Sequence, residues 1–247
     1  MNLNEQQKKS IEHFNGPCLV VGTPGSGKTR VITERVKYLV EEKGVKNTNI
    51  LVITFTKAAA VQMKKRYEAM VSGDAKRVYF GTFHAIFFTI LKYAYHYTAD
   101  NIIRDDVKRQ LLRELANKEE IEMQDENDFL NELVSEISKV KGEMLDLRHY
   151  YSPNCPGESF RRIYSGYQSI LESRKLIDFD DMLVYCYELL KAREDIRQMW
   201  QRQYPYILID EFQDINKVQY DIVKMLASPK NNLFIVGDDD QSIYGFR

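Results

Sequence analysis

The stretch "CLVVGTPGSGKTRVITERVKYLV", residues 18–40, decides the fold. Its first five residues form a short, β-rich apolar run that ends in a glycine. From Lys28 onward, Val31, Ile32, Val36, Leu39 and Val40 fall along one face of a helix that stops at Gly44. Between strand and helix, "GTPGSGKT" (22–29) fits G-x-x-x-x-G-K-[ST]. The glycines of such a turn let backbone N–H groups point inward at phosphate oxygens, and the helix N-terminus adds its partial positive charge. Gly22, Thr23, Pro24, Gly25, Ser26 and Gly27 are therefore the expected phosphate cradle. Lys28 is expected to reach the β- and γ-phosphates, and Thr29 to offer its hydroxyl to Mg²⁺.

Four more β-rich runs come later in the chain: "NILVITF" (49–55), "VYFGTF" (78–83), "YILID" (206–210) and "LFIVGD" (233–238). They lack strict alternation, as strands buried on both faces do. Helix-like segments separate most of them, which predicts an α/β protein with a parallel, doubly wound sheet. Ligands in such folds bind beyond the C-terminal ends of the strands. Between about Leu91 and Ile177 the pattern changes. "DDVKRQLLRELANKEE", "DFLNELVSEISKVKGEM" and "SFRRIYSGYQSILESRKL" carry helical periodicity with mixed charges and no strand candidate. The predicted organisation is a discontinuous sheet domain, 1–90 and 178–247, with an all-α subdomain inserted at 91–177. "YYSPNCPGES" (150–159) is its clearest loop, and no internal repeat or low-complexity segment is visible.

"YILIDEFQDIN" (206–216) runs a mostly apolar strand straight into Asp210 and Glu211. Adjacent carboxylates at the end of a buried strand are costly unless something positive sits there. Beside a phosphate cradle that something is Mg²⁺ bridging nucleotide phosphates, with Asp210 placed to hold it. Glu211 is then positioned to orient or deprotonate an attacking water. The pair points to hydrolysis rather than to transfer onto a small acceptor.

Composition narrows the classes further. The chain has 247 residues, 44% of them apolar, enough for a sizeable core. A net charge of -1 excludes a protein basic all over, while local basic patches remain compatible with nucleic acid. Three cysteines without paired spacing (Cys18, Cys155, Cys186) fit a reducing compartment and argue against a disulfide framework or a zinc site. No run approaches the ~18 apolar residues needed to span a bilayer, and the polar start "MNLNEQQKKS" is unlike a signal peptide. A cytoplasmic protein with no membrane partner is the expectation.

Several motifs in order resemble the N-terminal part of the UvrD/Rep-type superfamily 1 DNA helicases. "LNEQQ" (3–7) resembles the Q motif, "GTPGSGKT" motif I, "ITFTKAAAVQM" (53–63) motif Ia and "GTFHA" (81–85) motif Ib. "IDFDDML" (177–183) resembles the segment that rejoins the core after the helical insert. "ILIDEFQD" (207–214) resembles motif II and "VGDDDQSIYGFR" (236–247) motif III. The resemblance spans essentially the whole chain, strongest in the core. It departs in two places: "TFTKAAA" is one residue shorter than the common form, and Phe246 stands where many relatives carry Trp. Stacking survives that second change, because both rings offer a face.

The resemblance implies a RecA-like P-loop NTPase fold, ATP and Mg²⁺ as cofactors, and 3′-to-5′ movement on DNA. The implied partners are single-stranded DNA, single-strand/duplex junctions and a second RecA-like domain beyond Arg247. That second domain would supply the arginines that neutralise γ-phosphate charge, so this chain reads as a truncated piece with feeble hydrolysis of its own. By resemblance, Gln7 reads the adenine edge, and Gln241 hydrogen-bonds near the γ-phosphate. Arg30 either approaches the nucleotide or is a solvent-facing helix charge. The positions matched to DNA stacking are Phe55, Phe179, Tyr244 and Phe246, since stacking needs only a π-face and tolerates any base. Phe55 and Phe179 are equally compatible with core positions. Thr56, Thr82 and His84 lie at strand ends suited to backbone phosphates, although a lone histidine there is compatible with a structural role. Arg161 and Arg162 read as a solvated helix face.

Two rival readings remain open. One is a nucleotide-gated DNA-binding module without unwinding activity. The other is a P-loop kinase, against which "DEFQD" and the aromatics of "GDDDQSIYGF" argue.

Overall fold

A computed structural model describes residues 3–23, 25–73, 77–121 and 125–238. Pro24, Gln241, Tyr244 and Phe246 lie outside the described residues. In chain order the elements are α1 (Glu5–Glu12), β1 (Cys18–Val21), α2 (Lys28–Glu41), β2 (Ile50–Thr54), α3 (Lys57–Glu68), β3 (Tyr79–Thr82) and α4 (Phe83–Tyr95). Then come α5 (Asp105–Lys118), α6 (Glu126–Gly142), α7 (Gly157–Ser173), α8 (Phe179–Ala192), α9 (Glu194–Gln203), β4 (Tyr206–Ile209), α10 (Lys217–Ala227) and β5 (Leu233–Gly237). Each strand falls inside one of the five apolar runs.

The strands form one parallel sheet in the order β1-β5-β4-β2-β3. Strand β2 is buried along its whole length, as continuous "ILVIT" requires. Strand β1 lies at an edge, with Leu19 62% and Val21 54% exposed. Because all strands run the same way, Val21, Thr54, Thr82, Ile209 and Gly237 end on one side of the sheet. The loops that leave these five strand ends collect on that side.

The chain divides into two compact units. The first gathers the residues up to Ile86, Leu189–Ile215 and those from Gln219 on. Its core packs Val36 and Leu39 of α2 and Met63 and Tyr67 of α3 against Val52, Leu208 and Val236 of the sheet. Buried Arg35 ties α1 into this core. Its guanidinium donates to the carbonyls of Ser10, Ile11 and His13, the orphan acceptors at the end of α1. It also lies 4.3 Å above the Phe234 ring. Burial pushes its pKa down to about 10, so it stays charged at neutral pH.

The second unit, Phe87–Glu188 with Asn216–Val218, is all helical. Helical spacing brings Leu133, Ile137 and Val140 of α6 together with Phe160, Ile163 and Tyr167 of α7. At its base sits a buried ionic knot. Lys141 Nζ lies 2.9 Å from Asp178 Oδ2 and 2.7 Å from Asp181 Oδ1, and Lys108 Nζ lies 3.1 Å from Asp178. The two aspartates also exchange hydrogen bonds, each backbone N–H donating to the other's carboxylate at 2.8–3.0 Å. Burial disfavours the charge on Lys141, but the facing carboxylates outweigh it and raise its pKa. Among the described residues no helix is long and apolar enough to cross a membrane.

Candidate functional site at the sheet edge

The loop after β1 is shaped for an anion. Gly27 has φ 88°, a left-handed conformation that only glycine adopts without strain. Ser26 N–H closes the turn onto Thr23 O at 3.1 Å, and Lys28 opens α2. A cleft of about 400 Å³ lies here, lined by Gln7, Thr23, Ser26 and Lys28 among others. Lys28 Nζ donates to Gly22 O at 2.8 Å and to Asp238 Oδ2 at 3.3 Å, with both side chains nearly buried. The expected adenine reader, Gln7, is engaged at both ends of its carboxamide. Oε1 accepts from Asn4 N–H at 3.0 Å in a capping box, and Nε2 donates to Ser26 O at 2.9 Å. Thr29 comes directly after Lys28 on the first turn of α2. Arg30 pairs with Glu34 one turn on, Nε to Oε1 3.7 Å, as a helix-surface charge does.

The acids sit where the parallel sheet delivers them. Asp210 comes directly after β4 and is only 5% exposed. Its N–H donates to Ile53 O at 3.0 Å, but its Oδ1 has no hydrogen-bond partner. Burial first, and the negative charge of Glu211 second, push its pKa up to about 6 against the pull of Lys28. A buried carboxylate oxygen without a partner is the group that a hard cation satisfies. No trio of His, Cys, Asp and Glu able to hold a metal exists among the described residues. The Thr29 hydroxyl and nucleotide phosphates would complete a set of hard oxygen ligands with Asp210.

Glu211 adopts φ 53°, ψ 50° before the short 3-10 turn Phe212–Asp214. Its carboxylate accepts from Gln213 Nε2 at 2.8 Å, and Gln213 Oε1 accepts from the Asp238 N–H at 3.1 Å. Sequence reading missed both Gln213 and Asp238. The acidic run "GDDD" was visible, but only the β1–β5 pairing brings Asp238 to Lys28.

Of the expected DNA contacts, four gather on the same sheet edge. β2 and β3 are paired in register Thr54↔Thr82, so the segment carrying Phe55 and Thr56 and the one carrying His84 leave from neighbouring strand ends. Thr56 and Thr82 cap helices, accepting from Ala59 N–H at 3.1 Å and Ala85 N–H at 3.3 Å. Phe55 and His84 are half-buried. Phe179 belongs to the helical unit and is 57% exposed, which rules out a core position for it. Arg161 and Arg162 are paired with Glu158 and Glu119.

A five-stranded parallel sheet with a glycine-rich phosphate loop after its first strand defines a RecA-like P-loop α/β domain. The chain belongs to the UvrD/REP helicase N-terminal domain family, which matches residues 3–247. It is 37% identical to the putative ATP-dependent DNA helicase YjcD of Bacillus subtilis (strain 168), covering 100% of this chain and 33% of that protein. It is 36% identical to the ATP-dependent DNA helicase PcrA of Leuconostoc citreum over 99% of this chain and 33% of that one. For PcrA of Staphylococcus aureus (strain Mu50) the identity is 34%, over 100% of this chain and 34% of the relative. The chain thus spans about a third of the length of these relatives.

Proposed function

We propose that this chain is the ATP-binding portion of an ATP-dependent DNA helicase or translocase that moves 3′ to 5′ along single-stranded DNA. The observation that carries the reading is Lys28 standing in a glycine-rich loop beside Asp238 and within the field of a buried Asp210 whose Oδ1 has no hydrogen-bond partner. Phosphates entering the cleft exchange Lys28's contact with Asp238 for their own oxygens. Thr29 and Asp210 would hold Mg²⁺, which supplies charge neutralisation across the β- and γ-phosphates. Glu211 accepts the proton of a water as its oxygen bonds to the γ-phosphorus, and the bond to the β-phosphate oxygen breaks to leave ADP and phosphate. Gln7 borders the cleft and serves the adenine once its carboxamide turns from Asn4 or Ser26.

Phe55, Thr56, Thr82 and His84 form one strip for single-stranded DNA, with Phe179 a further stacking ring and single-strand/duplex junctions the working substrate. A second RecA-like domain is the partner that completes the nucleotide site. The isolated chain on this reading binds Mg·ATP and hydrolyses it slowly, since an arginine finger contributes 10³–10⁵ in rate in related chemistry.

The test is a titration with Mg·ATP, with steady-state hydrolysis read with and without a single-stranded oligonucleotide. Lys28→Ala is expected to abolish binding. Binding unaffected by Lys28→Ala, or no binding by the wild type, rejects the assignment.

A further inference from the structure

Gln213 links Glu211 to the end of β5. Its Nε2 donates to Glu211 Oε2 at 2.8 Å, while its Oε1 accepts from the backbone N–H of Asp238 at 3.1 Å. Only one orientation of the carboxamide satisfies both neighbours. Turned over, it would face a carboxylate with an oxygen and an N–H with an NH₂ group. The end of β5 is shaped around it as well. A Cβ on Gly237 would come 3.0 Å from Gln213 Oε1 and 3.6 Å from Phe212 Cβ, so a larger residue there would press directly on the carboxamide.

Glu211 needs such support. Its left-handed backbone is a conformation that costs a non-glycine residue roughly 1–2 kcal/mol. Its side chain is flexible, and a proton acceptor displaced by about 1 Å can lose ~10²-fold in rate. The Asp214 N–H, bonded to Glu211 O at 3.1 Å, fixes the backbone. Gln213 fixes the carboxylate.

We propose that Gln213 is a positioning residue for hydrolysis: it holds the Glu211 carboxylate in the orientation that takes a proton from water, and it anchors that carboxylate to Asp238. Asp238 is shared, since its side chain meets Lys28 and its N–H meets Gln213. The proton acceptor and the phosphate-binding lysine are thereby referenced to one residue at the end of β5. This inference rests on the reading of Glu211 as the proton acceptor.

The experiment is single-turnover hydrolysis of Mg·ATP with the chain in excess, comparing wild type, Glu211→Gln, Gln213→Met, Gln213→Glu and the double variant E211Q/Q213M. Gln213→Met keeps the volume and loses both hydrogen bonds. Gln213→Glu keeps an acceptor for the Asp238 N–H and sets one carboxylate against another. Nucleotide affinity and thermal unfolding are measured on each. Both Gln213 variants are expected to slow hydrolysis about 10- to 100-fold with nucleotide affinity within about twofold of wild type. Gln213→Met is expected to add nothing in the Glu211→Gln background. If Glu211→Gln is inactive but both Gln213 variants hydrolyse at the wild-type rate, the positioning role is wrong and Glu211 stands. A parallel loss of rate and affinity, or a further loss in the double variant, assigns Gln213 a merely structural or independent role and also overturns the proposal. If Glu211→Gln matches wild type, or the wild type shows no hydrolysis, the Glu211 reading falls and this inference falls with it. Should Gln213→Met not fold, Gln213→Glu alone decides between these outcomes.

Discussion

Lys28 Nζ stands 3.3 Å from Asp238 Oδ2, with both side chains nearly buried, so the lysine that opens α2 is held by an acid just after β5. On the proposed function an entering triphosphate displaces that acid and then sits beside it. Asp238→Asn removes the competitor and leaves the ammonium short of a counter-charge, which phosphate restores. Nucleotide affinity should rise about tenfold, equivalent to about 1.4 kcal/mol. The nucleotide-free protein should lose stability, because breaking a buried pair leaves an uncompensated charge. Fluorescent-nucleotide titration of the variant checks this, and weaker binding would show that Asp238 is needed in the bound state.

Asp210 predicts a conflict between stability and function. In the protein without nucleotide or Mg²⁺ its pKa is pushed up to about 6, against about 3.9 for an unfolded aspartate. The folded form holds the proton more tightly, so stability falls as pH rises from about 4 to about 6 and stays low above that window. Two pK units correspond to an order of 2–3 kcal/mol at pH 7. Asp210→Asn should raise the stability of the nucleotide-free protein by that order at pH 7 and by little near pH 4. Urea unfolding at the two pH values measures it, and equal gains at both would contradict the burial argument.

Lys141 makes the opposite case. It is buried between Asp178 and Asp181, and Lys141→Met strands two carboxylates with Lys108 as their remaining cation. Loss of one partner from a buried ionic group typically destabilises by 3–5 kcal/mol. Lys141→Met combined with Asp181→Asn removes one charge of each sign and should recover a good part of that loss. Denaturant unfolding of the single and double variants decides whether charge balance or shape holds this knot together.

Phe179 lies one position after buried Asp178, yet is 57% exposed. An exposed ring contributes little to stability, whereas stacking on a base is worth about 1–3 kcal/mol. Phe179→Ala should weaken single-stranded oligonucleotide binding by roughly 5- to 150-fold while leaving the unfolding midpoint within a degree or two. Unchanged DNA affinity would show that Phe179 does not stack on DNA.

The sequence by itself determined the local chemistry. Five apolar runs became the five strands, Gly27 of "GTPGSGKT" became the left-handed turn before α2, and the periodicity after Lys28 placed Val31, Ile32, Val36 and Leu39 in the core. These are short-range consequences of side-chain period and glycine conformational freedom, and they need no partner to be readable. Tertiary structure alone decided the strand order. Placing β5 between β1 and β4 brings Asp238 to Lys28 and Gln213 to the end of β5, across separations of 210 and 25 residues. It also left Asp210 Oδ1 buried without a hydrogen bond and turned Phe179 outward beside a buried aspartate. Hydrogen bonds and desolvation depend on which groups meet in space, and pairings between distant segments leave no periodic trace along the chain.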